Sequence, residues 1–184
     1  MLGIRSSFLQ ASFNYERMQA CGFTWAMLPV LKKVYGNDKE KLAGAMTDNL
    51  EFINTHPNLV GFLLGLMMSL EEGGASRDMI KGLKLALFGP IAGIGDTIIW
   101  GTLKAIILGL GCTFALQGNS LGAVIPFLFP IIGYTAGWMF LRFGYRLGKD
   151  AVLKLMQSGV INTVITGASV LGLFMICLLY TSDA

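Results

Sequence analysis

A chain of 184 residues that is 54% hydrophobic and only 14% charged has too little charge to cover a soluble fold of its size, where about 25% charged residues is usual. Its net charge of +3 is thinly spread, with no basic tract carrying interleaved aromatics, which argues against a nucleic-acid partner. The isolated cysteines Cys21, Cys112 and Cys177 lack metal-ligand or disulfide spacing and read as small apolar packing residues. With 24 glycines and a mean hydropathy of +0.63, the composition fits closely packed helices in lipid, and the expected fold class is an all-α polytopic membrane protein.

Residues 1–58 read as amphipathic helices lying in the membrane interface or against a partner. Ile4, Phe8, Ala11, Tyr15, Met18, Gly22 and Trp25 recur at three- and four-residue steps and fall on one helical face, while Asn14, Glu16, Arg17 and Gln19 fall off it. Arg5, Ser6, Ser7 and Gln10 interrupt any early apolar run, so no signal peptide is expected. Pro29 and then Tyr35, Gly36, Asn37 and Asp38 are expected to close this segment. Asp38 is placed to cap a second helix with Leu42, Met46, Leu50 and Ile53 on one side, ending before His56 and Pro57.

Residues 59–116 read as re-entrant or broken helices. The apolar run Leu59–Leu70 is too short to cross a bilayer, which takes about 20 residues, so a buried half-helix or hairpin arm is expected. Glu71 and Glu72 read as a solvated turn, or as carboxylates facing a cavity. The stretch Leu83–Leu116 is interrupted at Gly89, Pro90, Gly93, Gly95, Asp96 and Lys104, and such interruptions are tolerated where backbone lines a cavity or is covered by protein.

Residues 117–176 read as a transmembrane region. Leu121–Leu141 is the cleanest span, with Pro126 and Pro130 as kinks. Arg142, Arg146, Lys149 and Lys154 follow it and mark a cytoplasmic end. Another apolar stretch begins at Leu155, diluted by Gln157, Ser158, Asn162, Thr163 and Thr166. Small-residue pairs at Gly61/Gly65, Gly89/Gly93, Gly118/Gly122, Gly133/Gly137 and Gly144/Gly148 are expected to include tight helix contacts. Residues 177–184 read like translated sequencing adapter, so natural sequence is expected to stop near Ile176.

The chemistry concentrates in Gly89–Lys104. A carboxylate among glycines in an apolar region is a functional candidate, because it costs several kcal/mol unless paired or hydrated. Asp96, Trp100 and Lys104 stand four apart on a slowly rotating helix face, and an aromatic ring between a carboxylate and an ammonium suits a sugar. The bland reading makes Asp96 a cap for a helix starting at Thr97, with Lys104 snorkelling to an interface. Asn54, His56 and Glu72 end short apolar elements and complete the candidate substrate-binding set. A lone histidine before proline is more often a polar loop residue than a catalytic one. Gly118, Ser120 and Gly122 match a hydrolase pattern without its strand–turn–helix context. Gly144–Lys149 is one residue short of a phosphate-binding loop. No catalytic residue, metal ligand or cofactor is expected.

The run Phe8, Leu9, Gln10, Ala11, Ser12, Phe13, Asn14, Tyr15, Glu16, Arg17, Met18 and Gln19, followed by Gly22 and Phe23, resembles the N-terminal signature of mannose-family phosphotransferase IID subunits. Leu50–Pro57, Leu70–Glu72, Gly82–Lys84, Gly89–Asp96 with Trp100–Thr102, and Gly167–Phe174 continue that resemblance in order, from Leu2 to about Ile176. The resemblance implies a multi-pass subunit of the bacterial inner membrane that pairs with a IIC subunit, the pairs forming trimers. It implies elevator-like translocation of a hexose or amino sugar, phosphorylated through histidines on separate IIA and IIB subunits, so that His56 is no phosphorylation site. It also implies that a C-terminal third is missing. The competing role is a membrane scaffold that supports IIC without touching sugar.

Overall fold

In the computed structural model, residues 2–155 and Val170 are described, with side chains from Gly3 to Gly148 and at Val170. The expected apolar stretch beyond Leu155 and the tail 177–184 lie outside the described residues. The described chain is helical: α1 (Leu2–Ser6), α2 (Ala20–Tyr35), α3 (Lys39–Asn49), α4 (Val60–Glu72), α5 (Arg77–Ile94), a π segment (Gly95–Lys104), α6 (Ala105–Leu116) and α7 (Leu121–Leu155).

The single amphipathic helix expected over residues 4–25 does not form. Turns replace it after Ser6, and Met18 adopts a left-handed φ of 52°. The stripe is not a buried face either, since Ile4, Phe8 and Tyr15 are exposed while the off-stripe Gln19 is buried. Gln19 explains the break: its backbone N–H donates to the Ile53 carbonyl at 3.0 Å. Its side-chain amide donates to the Thr55 carbonyl at 2.8 Å and accepts from the Thr55 N–H at 2.9 Å. Long-range pairing thus outcompetes local helix propensity. Pro29 does not close the segment; it lies inside α2, which runs on to Tyr35. Asp38 caps α3 as expected, accepting from the Lys41 N–H at 3.0 Å.

A tightly packed core joins α2, α3, α4 and the start of α5. Phe23, Met27, Leu31, Ile53, Leu63 and Met67 are fully buried there. α4 is mostly buried and about 20 Å long, short of a full membrane crossing. It lies parallel to α7 through glycine. A Cβ on Gly61 would overlap the Gly137 carbonyl, one on Gly65 the Leu141 carbonyl, and one on Gly144 the Phe62 carbonyl. Gly89 and Gly93, in contrast, face open space, so that pair marks no contact among the described residues.

The glycines and Pro90 do not break Leu83–Leu116 into separate helices. Arg77–Leu116 is a continuous 40-residue helical run, and the interruption takes the form of the π segment. With Leu121–Gly148 it makes two helices long and apolar enough to cross a membrane. After Lys84, every buried residue with a described side chain is a glycine: Gly95, Gly111, Gly122, Gly144 and Gly148. Neighbouring elements close onto the helix backbone at these glycines, and the large apolar side chains point outward, as in a helix surrounded by lipid or partner subunits rather than by water.

Candidate functional site

α4 begins beside Gly133 and Gly137, near the middle of the apolar stretch of α7. The loop before it, residues 54–58, is therefore level with that midpoint. Discontinuous helices that start at this depth form substrate sites in transporters.

The loop divides its side chains between two neighbours. Asn58 turns toward α7, where its amide would meet a Cβ placed on Gly133 at 2.9 Å. A cavity of about 120 Å³ opens there, lined by Ser6, Ser7, Gln10, Asn58, Tyr134 and Trp138 among others. His56 turns the opposite way, onto the π segment. A side chain on Gly95 would overlap its imidazole, so glycine is required for this approach. The ring then meets the Trp100 indole edge-to-face, centroids 5.3 Å apart. Lys104 Nζ stands 5.2 Å from the Trp100 ring centroid, within cation–π range.

Three of the expected site residues thus come together: His56, Trp100 and Lys104. Asp96 joins them electrostatically. Burial holds the His56 pKa below its ordinary value, and the Asp96 charge opposes that shift. His56 is a polar loop residue, as its place before proline suggested, but a buried one, only 1% exposed. Asp96 is exposed within continuous helical backbone, with Ile94 and Gly95 both right-handed. It does not cap a helix at Thr97. Asn54 is exposed on the same loop.

Glu72 does not converge with this cluster. It ends α4, about 20 Å along the helix from the loop, where it binds Lys33 Nζ at 2.9 Å and accepts from the Tyr145 hydroxyl at 2.6 Å. Nor are Glu71 and Glu72 a solvated turn. The Glu71 side chain is 0% exposed and accepts from the Tyr35 hydroxyl at 2.7 Å and Arg77 Nη2 at 2.5 Å. Gln19 and Arg77 organise the loop and this network, and neither stood out as a functional position. The signal for Gln19 was a polar residue between apolar Met18 and buried Ala20; for Arg77 it was the first helical position after Ser76, a helix cap that accepts from the Met79 N–H at 3.3 Å.

The family model for the mannose/fructose/sorbose IID component of phosphotransferase systems matches residues 1–183. The mannose-specific IID component of Escherichia coli is 38% identical over 177 residues, covering 93% of this chain and 62% of that protein. The fructose permease IID component of Bacillus subtilis is 39% identical over 177 residues, with 93% of this chain and 64% of that protein covered. Among solved structures, a cryo-EM complex of the mannose transporter ManYZ with a microcin matches with a TM-score of 0.91 at 38% identity, over 97% of this chain and 67% of the other. The chain therefore spans about three fifths of the length of such relatives. It belongs to the IID components of the mannose/fructose/sorbose family of phosphotransferase systems.

Proposed function

We propose that the protein pairs with a IIC subunit in the bacterial inner membrane, as trimers of such pairs, and moves a hexose or amino sugar across it. The sugar is phosphorylated on arrival by IIA and IIB, whose histidines carry the phosphoryl group. The observation that carries this reading is the convergence of His56, Trp100 and Lys104, with Asp96 alongside, at the level of the half-helix start. An indole between polar groups accepts the C–H face of a pyranose while the charged groups bond its hydroxyls. His56 is buried against Gly95, a poor position for a phosphoryl-transfer nucleophile. Asn54 sits on the rim of this set, and Glu72 belongs to a distant ion-pair network rather than to the sugar.

A scaffold role is the second reading, favoured by the outward apolar faces of Arg77–Leu116 and Leu121–Gly148. Asp96→Ala in the full-length subunit, co-expressed with its IIC partner, separates the two. Loss of sugar uptake with co-purification intact supports the sugar site. Normal uptake kinetics would sink it, and loss of assembly before loss of affinity would favour the scaffold.

A further inference from the structure

Two side-chain atoms of adjacent residues in the mid-depth loop, Thr55 Oγ1 and His56 Nε2, are buried without a hydrogen-bond partner among the described residues. Each such atom costs about 1–3 kcal/mol, and native proteins rarely retain them without a use. The loop is not loosely held. Gln19 bonds both backbone groups of Thr55, and the Leu59 and Val60 N–H groups both donate to the His56 carbonyl at 3.0 Å.

The protonation of the ring follows from its other nitrogen. The Asn58 N–H donates to His56 Nδ1 at 3.3 Å, so Nδ1 is the acceptor and the neutral ring carries its proton on Nε2. The orphan is therefore a donor in search of an acceptor. The Trp100 indole packs on this ring. That indole is itself 46% exposed, sits in the π segment, and has the Lys104 ammonium across its ring. π segments frequently mark functional sites.

We propose that Trp100 swings off the His56 ring when sugar arrives, and that the neutral imidazole then donates its Nε2–H to one sugar hydroxyl. This rests on the sugar-site reading above. A hydroxyl suits the position because its oxygen accepts from a neutral N–H donor without requiring a charge on the ring.

The test measures sugar binding to the full-length subunit in complex with IIC, using D-mannose, D-glucose and their monodeoxy analogues. Wild type should bind one analogue about tenfold more weakly than its parent, the size of one neutral hydrogen bond. His56→Phe should bind the parent sugar about tenfold more weakly and lose that discrimination. His56→Gln, which keeps an N–H donor, should restore it. The parent sugar should change the tryptophan emission of the wild-type complex, and Trp100→Phe should remove that change. Unchanged analogue discrimination in an assembled His56→Phe complex would overturn the proposal, as would a wild type that discriminates against none of the analogues. If Asp96→Ala and Trp100→Ala lose binding while His56→Phe keeps its discrimination, only this proposal fails. If all three bind normally, the sugar-site reading fails with it.

Discussion

Glu71 Oε2 and Arg77 Nη2 lie 2.5 Å apart across the turn that joins α4 to α5. The carboxylate is fully buried and the guanidinium about one-third exposed. The same guanidinium bonds the Tyr35 hydroxyl at 3.1 Å and reaches Asp48 at 3.5 Å, so one side chain ties α2, α3 and α4 to the start of the long helix. A buried ion pair is weak evidence of net stabilisation, but removing one partner strands the other charge. Arg77→Met should therefore cost about 3 kcal/mol, the low end for a buried pair because Arg77 is partly exposed. Glu71→Leu combined with Arg77→Met should recover part of that loss. Thermal unfolding of the purified complex checks both, and a double variant less stable than either single would contradict this account.

Gln19→Leu tests the tie that broke the expected first helix. The variant leaves the Thr55 N–H and carbonyl without their partners, at about 1–3 kcal/mol each. It should loosen residues 54–58 before the helices give way. Hydrogen exchange would show early deprotection of Thr55 with α4 still protected, whereas uniform deprotection would indicate global destabilisation instead.

Gly65→Ala probes the α4–α7 contact. The added methyl group would first meet the Leu141 carbonyl and the Tyr145 backbone nitrogen, and backbone cannot rotate away as a side chain can. Overpacking of this kind costs about 1–3 kcal/mol. Gly89→Ala and Gly93→Ala, facing open space within the chain, should leave its folding unchanged. Measured melting temperatures should therefore fall for the first variant and hold for the other two.

Acidification should weaken the loop through His56. Burial lowers its folded-state pKa, with Asp96 opposing, and Lys104 stands across the Trp100 ring. The unfolded chain takes up a proton near the ordinary value of about 6.5 while the folded ring resists it. Stability is therefore complete above that pH and falls below it, by at most about 1.4 kcal/mol per pH unit, until the folded ring also protonates. Unfolding measured from pH 7.5 to 5.5 should show this slope, and His56→Gln should flatten it.

Much of this architecture was legible because length and hydropathy act locally. A twelve-residue apolar run is too short to cross a bilayer alone, and Asp38 caps because its side chain reaches the Lys41 N–H. The amphipathic stripe from Ile4 to Trp25 misled because periodicity carries no information about Gln19 finding Thr55, 36 residues away. Asp96, Trp100 and Lys104 were visible from their spacing on one helix. Their meeting with His56 depends on Gly95 leaving room for the imidazole against the helix backbone, a tertiary event that no spacing encodes. Glu72 looked equivalent to His56 because both end apolar elements, yet they end opposite poles of one rigid rod.

The glycine contact between α4 and α7 has a mechanical consequence. Backbone presses on backbone at Gly61, Gly65 and Gly144, leaving no side-chain rotamers to absorb sliding. The two helices must travel as one piece, and His56, four residues before α4, travels with them. Trp100 rides on the long helix, which is fixed to that same piece at both ends, by Arg77 on Glu71 of α4 and by the packing of Gly111 against Pro126 of α7. With both ends held, the gap between the imidazole and the indole can change only by local bending of the span between them, where the π segment lies.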